Sequence, residues 1–229
     1  MSEIACRLDA LRDRITSACA ANRRSPESVR ILAISKRHPA DAIREAYAAG
    51  QRAFGENYLQ EAAGKQDALA DLGVEWHFVG GLQSNKTREA AERFAWIHTV
   101  DRLRIARRLS EQRPEELPPL NVCLQVNISR ESQKAGCPPE DVAELAAAVA
   151  DLPRLRLRGL MSIPAPADGI DAQRTPHRQL RELQERLQAA GIAVDTLSMG
   201  MTDDLEAAIA EGSTLVRIGT AIFGPRPQP

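Results

Sequence analysis

The sequence lacks an excess of charge of either sign, since 30 Lys and Arg residues face 31 Asp and Glu residues and the formal net charge is -1 at pH 7. Without a strong outward field, binding to nucleic acid or to an anionic lipid surface is not expected. No run of about 18 apolar residues occurs, and charged residues interrupt the N-terminal segment where a secretory signal would be apolar. We therefore expect a cytoplasmic protein that binds neither nucleic acid nor membrane.

Cysteine is also scarce, and its spacing is uninformative. The four cysteines, Cys6, Cys19, Cys123 and Cys137, form no C-x-x-C pair and are too few for a disulfide scaffold, so reduced thiols are expected. The motifs H-E-x-x-H, G-x-S-x-G and the Walker loop are absent. Zinc hydrolase, serine esterase and nucleotide hydrolase activities have no support, and no metal site is predicted.

Lysine is scarce, since only four of the 30 Lys and Arg residues are lysine: Lys36, Lys65, Lys86 and Lys134. Unlike arginine, lysine can form an imine with an aldehyde, and its pKa can fall into the working range when it is buried. Each lysine is therefore considered as a nucleophile. Lys86, at the start of a helix, is interpreted as a solvated side chain.

Short apolar runs alternate with longer segments of helical periodicity, which predicts an α/β fold. Apolar residues make up 43% and charged residues 27% of the 229 residues, as in globular domains. The predicted strands are Ile31–Ser35, Arg52–Phe54, Glu75–Val79, Trp96–Thr99, Leu120–Val126, Leu155–Met161, Val194–Ser198 and Thr214–Ile218. The predicted helices are Ile4–Ala21, Ala40–Ala49, Tyr58–Leu72, Lys86–Phe94, Arg102–Glu111, Pro139–Ala150, Pro176–Ala190 and Asp203–Glu211.

Eight strands, each followed by a helix or a helix start, predict a (β/α)8 TIM barrel with an extra N-terminal helix. We expect one domain over residues 1–229, because the last strand ends near Ile218 and Pro225–Pro229 is too short to form another. An open doubly wound sheet is the alternative fold. It usually carries a glycine-rich loop after its first strand, whereas Ser35 to Pro39 contains no glycine.

In such barrels the ligand site lies at the carboxyl ends of the strands, and phosphate is most often held after strands seven and eight. Glycines and hydroxyl residues stand at the ends of these two strands, in the segments Ser198-Met199-Gly200 and Gly219-Thr220. Strand eight neighbours strand one in a closed barrel, so Lys36 is predicted to lie near this phosphate site. An amine beside a phosphate site matches pyridoxal 5′-phosphate (PLP).

Alternation along strand eight places Arg217 on the same face as Leu215 and Gly219. Facing a pyridine nitrogen, a guanidinium keeps that nitrogen unprotonated and disfavours carbanion chemistry. Purely structural interpretations stay open. Lys36 is then a solvated residue at the end of a strand, Arg217 pairs with a glutamate of the barrel wall, and the glycines are ordinary turn residues. From its position in the sequence, His77 is interpreted as a hydrogen-bonded residue of the barrel wall rather than as a base.

Several ordered motifs together resemble those of the pyridoxal phosphate homeostasis protein family, also called the YggS or proline synthase co-transcribed family. They are 34–36 (ISK), 54–58 (FGENY), 76–80 (WHFVG), 82–86 (LQSNK), 159–161 (GLM), 197–201 (LSMGM) and 216–220 (VRIGT). That family is similar to the barrel domain of the fold III enzymes such as alanine racemase. The resemblance implies PLP held by Lys36 as an imine, with no established catalytic activity.

By the same resemblance, the phosphate would be held by Ser198, Gly219 and Thr220, and the ring nitrogen would face Arg217. Asn57, His77 and Met161 would line the ring. The sequence departs from the common family pattern at Arg37, His38, Gly81 and Gln133. These departures concern a second lysine beside the site and the loop after strand three, and they leave the expected cofactor contacts intact.

Two functions of different classes follow. The first is a PLP carrier or regulator in vitamin B6 and amino-acid homeostasis, and the second is a fold III racemase or decarboxylase. Fold III racemases use a second β domain and an acid–base residue from a partner subunit, whereas this sequence is expected to end after the barrel. We therefore expect a monomeric carrier without catalytic residues. Whether it contacts apo-enzymes to deliver PLP is left open.

Overall fold

The computed structural model describes residues 2–225, and its centre is a closed barrel of eight parallel strands. The strands neighbour one another in chain order, and β1 closes the barrel by pairing with β8. They are β1 (Arg30–Ile34), β2 (Ala53–Glu56), β3 (Glu75–Phe78), β4 (Trp96–Val100), β5 (Leu120–Gln125), β6 (Leu155–Met161), β7 (Thr196–Ser198) and β8 (Leu215–Ile218). The predicted (β/α)8 barrel is confirmed, and the open sheet is excluded. The prediction of one domain over residues 1–229 includes Met1 and 226–229, which lie outside the described residues.

Helices follow the strands and surround the barrel. Within residues 2–225 they are α1 (Glu3–Ala21), α2 (Ala40–Ala48), α3 (Leu59–Ala68), α4 (Thr87–Arg93), α5 (Leu103–Gln112), α6 (Val142–Ala150), α7 (Ile170–Ala189), α8 (Leu205–Ala210) and α9 (Thr220–Phe223). The N-terminal helix α1 precedes β1, as predicted. It buries Ile4, Leu8, Leu11 and Ile15 and packs on α2, α8 and α9, which flank the closure of the barrel.

Strand residues alternate between two apolar regions because successive side chains point to opposite faces. On β1, Leu32 belongs to a small cluster inside the barrel with Leu215, whereas Ala33 belongs to the large core between the strands and the helices. Ile34 packs on the inner cluster. The inner face of β1 therefore leads to the carboxyl-end mouth of the barrel, where Lys36 follows.

The helix before β7 begins six residues earlier than predicted, at Ile170, with Pro176 inside it. The predicted bounds, Pro176–Ala190, start the helix at a proline, which suits the first helical position because proline lacks an N–H donor. The helix nevertheless extends in front of it, and Arg174 forms an ion pair with the buried Glu211 at 2.7 Å. Tertiary contacts of this first segment outweigh the backbone hydrogen bond that Pro176 cannot make.

Two further features concern the helices and the cysteines of the described residues. None of the helices in residues 2–225 combines the length and apolar character needed to cross a bilayer. All four cysteines are free, and three of them, Cys19, Cys123 and Cys137, are buried. Burial raises the pKa of the Cys123 and Cys137 thiols to about 12, so both thiols are protonated at neutral pH.

We expect Gly159→Ala to destabilise the protein by about 3 kcal/mol or more. Gly159 on β6 has φ of 157°, and a Cβ there would lie 1.8 Å from the carbonyl oxygen of Thr196 on β7. Urea unfolding measures the change. The matched control is Gly64→Ala on the exposed face of α3, where a Cβ meets nothing within 4 Å and should stabilise by about 0.5–1 kcal/mol. Equal stability of the two variants would contradict the tight contact between β6 and β7.

Candidate functional site

A cavity of about 430 Å³ opens at the carboxyl ends of the strands. Basic, hydroxyl and apolar side chains share its wall, as is usual for a site that orients a small molecule. The lining residues are Ile34, Lys36, His38, Asn57, Val79, Ile163, Met201, Thr202, Asp203, Arg217, Gly219 and Thr220. The cavity therefore lies where the fold class predicts a ligand site.

Lys36 stands in the turn that follows β1, and the next residue, Arg37, has a left-handed backbone with φ of 64°. Such a conformation is uncommon for a residue with a side chain and has to be held by its surroundings. Two hydrogen bonds do this. The Ser35 carbonyl, on one side of Lys36, accepts from Lys65 Nζ at 2.7 Å, and the Arg37 N–H, on the other side, donates to Glu61 Oε1.

Lys65 also joins the two acidic residues behind the turn. Its Nζ lies 2.7 Å from Glu56 Oε1 and 2.6 Å from Glu61 Oε1. The Ser35 hydroxyl donates to the same Glu56 oxygen at 2.7 Å. We call Ser35, Glu56, Glu61 and Lys65 the lysine clamp, because together they fix both peptide groups that flank Lys36.

The centre of the lysine clamp is a buried ion pair. Glu56 is completely buried, and Lys65 is 7% exposed. Burial raises the pKa of the Glu56 carboxyl, and the neighbouring Lys65 ammonium opposes that rise. Among the described residues, Glu56 Oε2 has no hydrogen-bond partner. Sequence reasoning missed the clamp, although the i,i+4 spacing of Glu61 and Lys65 was a signal for their pairing.

Arg217, on the neighbouring strand β8, lines the same cavity. Its Nη1 donates to the carbonyl and hydroxyl oxygens of Ser198, and its Nη2 donates to the Ser162 carbonyl at 2.8 Å. Burial lowers the pKa of Arg217 to about 10, which leaves the guanidinium charged at neutral pH. The alternative interpretation, in which Arg217 pairs with a glutamate of the barrel wall, is wrong, because the Arg217 hydrogen bonds go to serine oxygens.

The structure brings five of the ten predicted site residues to the cavity: Lys36, Asn57, Arg217, Gly219 and Thr220. The other five, His77, Met161, Ser198, Met199 and Gly200, are buried and do not line it. Ser198 was expected at the phosphate, but its side chain points into the barrel. Met161 packs against Trp96 and Cys123 inside the barrel.

Met199 and Gly200 have structural contacts. Met199 is fully buried in the outer core, because it follows the inward-facing Ser198 and points the opposite way. Gly200 has φ of 95°, and its carbonyl accepts from the Arg217 N–H at 2.9 Å. The turn after β7 therefore supports Arg217 through its backbone.

His77 lies deep in the barrel rather than beside the cavity. Its ring stacks on Trp96 with centroids 5.2 Å apart, and its Nδ1 lies 2.8 Å from Nε2 of His98. Burial lowers the pKa of both imidazoles, that of His98 well below its usual range. The interpretation of His77 as a hydrogen-bonded wall residue is the one that the structure matches.

The loop after β7 supplies cavity residues that sequence reasoning missed: Met201, Thr202 and Asp203. Asp204 holds this loop, since its Oδ1 accepts from the Met201 N–H at 2.6 Å and its Oδ2 lies 2.9 Å from His177 Nε2. His38, noted only as a departure from the family pattern, also lines the cavity and stacks on Phe223 at 5.0 Å.

In this TIM barrel, Lys36 after β1 and Arg217 on β8 line one cavity. Residues 6–227 match the family model of the alanine racemase N-terminal domain, which gives the class of the protein. The chain is 61% identical over 226 residues to the pyridoxal phosphate homeostasis protein of Pseudomonas aeruginosa, covering 99% of this chain and 97% of that protein. It belongs to the pyridoxal phosphate homeostasis protein family.

Solved structures agree with this assignment. PipY of Synechococcus elongatus, whose structure has been solved with PLP bound, is 42% identical, with a TM-score of 0.85 and coverage of 97% of this chain and all of that chain. Alanine racemase of Clostridium difficile is 13% identical, with a TM-score of 0.76, over 98% of this chain and 57% of the racemase. The second likeness shows the barrel fold alone.

Lys65→Met is expected to lower the free energy of unfolding by about 3–5 kcal/mol at pH 7, because it leaves the Glu56 carboxylate buried without its cation. The loss should shrink toward pH 5, since an unpaired buried carboxyl takes up a proton as the pH falls and no longer buries a charge. Urea unfolding at both pH values measures this. Lys86→Met, whose side chain is 43% exposed, is the control and should change stability by less than about 0.5 kcal/mol. Equal losses in the two variants would contradict the role of the ion pair.

Proposed function

We propose that this protein binds PLP in the cavity at the barrel mouth and carries it, without catalysing turnover, in vitamin B6 and amino-acid homeostasis. The observation that carries the proposal is the convergence of Lys36, Arg217 and Thr220 on one cavity. An amine, a guanidinium and a hydroxyl beside the Gly219 backbone match the aldehyde, ring and phosphate of PLP in chemical type.

The residues present fit this group. The cavity of about 430 Å³ lies in the range that small-molecule sites occupy, and its Ile34 and Val79 side chains offer an apolar surface for a ring. Gly219 lines the cavity and packs closely on β1, because a Cβ there would lie 3.3 Å from the Ile34 carbonyl oxygen. Thr220 begins α9 beside it and adds a hydroxyl donor.

Lys36 is the residue that we assign to covalent binding. PLP supplies an aldehyde, and condensation with the Lys36 amine forms a C=N bond with release of one water. The lysine clamp holds the backbone on both sides of Lys36, so the amine is presented from a fixed turn. Preorganisation of this kind lowers the entropic cost of binding.

The phosphate is assigned to Gly219 and Thr220, and the ring nitrogen to Arg217. Of the other predicted binding residues, Asn57 lines the cavity, whereas Ser198 supports Arg217 from beneath by hydrogen bonding. A guanidinium facing the ring nitrogen keeps that nitrogen unprotonated, which weakens the ring as an electron sink. This is the residue-level reason for proposing a carrier rather than a racemase or decarboxylase.

The proposal extends to the setting of the protein. We expect it to act in the cytoplasm as a monomer, with PLP as its small-molecule partner and with no nucleic acid or membrane partner. Its relatives carry the name of homeostasis proteins, which is consistent with a role in supplying the cofactor. Transient contact with apo forms of PLP enzymes is one route by which such a carrier would release PLP.

The purified protein incubated with PLP is expected to show the absorption of a protein-bound imine. Borohydride reduction followed by peptide mapping should place the adduct on Lys36, and Lys36→Ala should abolish the adduct while the protein stays folded by circular dichroism. Lys86→Ala is the control and should retain the adduct. An adduct on Lys86 or Lys134 would contradict the assignment of the site.

Pyridoxal, which lacks the phosphate, should bind at least about tenfold more weakly than PLP, since each charge-assisted hydrogen bond contributes about 1.5–3 kcal/mol.

Racemisation provides the test of the carrier role. Racemisation requires removal of the α-proton from one face and return of a proton to the other, in a site that stabilises the carbanion. We expect D- and L-alanine incubated with the PLP-loaded protein to racemise no faster than with free PLP, as measured by chiral chromatography. Turnover of about 1 s⁻¹ that disappears in Lys36→Ala would identify an enzyme instead.

A further inference from the structure

A row of polar side chains crosses the inside of the barrel, from the start of β3 to the floor of the cavity. His77 Nε2 lies 2.8 Å from Glu75 Oε1, and His77 Nδ1 lies 2.8 Å from His98 Nε2. His98 Nδ1 lies 2.8 Å from Ser198 Oγ, which is 3.0 Å from Arg217 Nη1. We call Glu75, His77, His98 and Ser198 the inner chain.

The two ends of the inner chain determine its direction. Arg217 can only donate hydrogen bonds, and an ionised Glu75 can only accept them. His77 therefore donates from Nε2 to Glu75 and, as a neutral imidazole, accepts at Nδ1 from His98 Nε2. His98 then accepts at Nδ1 from the Ser198 hydroxyl, whose oxygen accepts from Arg217. Every link thus has one donor and one acceptor, and every donated proton points from Arg217 toward Glu75.

The surroundings of the inner chain support neutral imidazoles. Both histidine side chains are completely buried and lie between Arg217 at one end and Arg30 at the other, whose Nη2 is 2.6 Å from Glu75 Oε1. A proton added to either ring would place a further positive charge between two guanidinium groups without contact with solvent. Glu75 is the carboxylate that accepts at the far end, and the hydrogen bond from His77 lowers its pKa to about 2.

Arg217 has only 5% of its surface exposed, and its hydrogen bonds go to uncharged serine oxygens. Against the effect of burial, the charge of Asp204 favours the charged guanidinium by raising the pKa of Arg217, and a buried charge also needs aligned hydrogen-bond acceptors. We propose that the inner chain is a positioning device for Arg217: it orients the Ser198 hydroxyl so that its oxygen accepts from the guanidinium, and it ends on the carboxylate of Glu75. The inference rests on the proposed function: if Arg217 contacts PLP, then the inner chain, which lies outside the cavity, affects the affinity for PLP.

Histidine side-chain ¹⁵N NMR tests the direction of the inner chain in the protein without added PLP. The sequence has four histidines, and His77→Gln and His98→Gln spectra assign the two signals. The expected result at pH 7 is that both rings are neutral and carry their proton on Nε2. A proton on Nδ1 of either ring, or an imidazolium, would overturn the inferred direction.

PLP affinity tests the positioning role. His98→Phe removes the acceptor of the Ser198 hydroxyl and should weaken PLP binding at least tenfold, as measured by fluorescence titration. His98→Gln, which retains one acceptor and one donor, should restore the affinity to within about threefold of the unmodified protein. Ser110→Ala, which removes a half-buried hydrogen bond to the Pro153 carbonyl outside the inner chain, is the control and should stay within threefold. Equal affinity of His98→Phe and the unmodified protein would overturn the positioning role.

Glu75→Gln covers the case in which His98→Phe does not fold, because the Glu75 side chain is 36% exposed and the change keeps its shape. It should weaken PLP binding at least threefold, and unchanged affinity would overturn the assignment of Glu75 as the terminal acceptor that orients the inner chain. Failure of the proposed function is distinguishable from failure of this inference. If the unmodified protein does not bind PLP, the proposed function fails, while the NMR measurement still decides the direction of the inner chain.

Discussion

The pairing of β1 with β8 is the contact on which the site depends. These strands are separated by almost the whole chain, yet Leu32 lies beside Arg217 and Ala33 beside Ile218 in the closed barrel. The turn with Lys36 and the turn with Gly219 and Thr220 leave the barrel next to each other as a result. Helix α1 packs on the helices that flank this closure, which couples the N-terminal segment to the integrity of the site.

Two buried polar systems meet at the cavity, one from each side. The lysine clamp holds the turn of Lys36 from outside the barrel, and the inner chain reaches Arg217 from within. Buried polar groups are costly unless each donor has an acceptor, so both systems favour one arrangement of their side chains over others. The Lys36 amine and the Arg217 guanidinium thereby face one small cavity from positions that the surrounding side chains hold.

Much of the fold and part of the site could be predicted because the signals were local. Hydrophobic alternation identified all eight strands, and the order of strands and helices indicated the barrel; β6 (Leu155–Met161) has the bounds that were predicted. The start of α7 could not be predicted, since Pro176 is a strong local signal for a helix start that tertiary contacts such as the ion pair of Arg174 with Glu211 outweigh. Ser198 was placed at the phosphate because its hydroxyl and position suited that role. Its inward direction depends on the register of a strand only three residues long.

The sequence by itself determined the fold class, the scarcity of lysine that singles out Lys36, and the family motifs, because these depend on residue order and spacing alone. Only the tertiary structure decided which side chains meet. Glu56 reaches Lys65 across the β2–α3 connection. His77 on β3 reaches His98 on the next strand, β4, and His98 reaches Ser198 on the distant strand β7. The physical reason is that closing the barrel sets strand register and side-chain direction together. The hydrogen bond between His98 and Ser198 joins residues 100 positions apart, and such a contact produces no periodic pattern in the sequence.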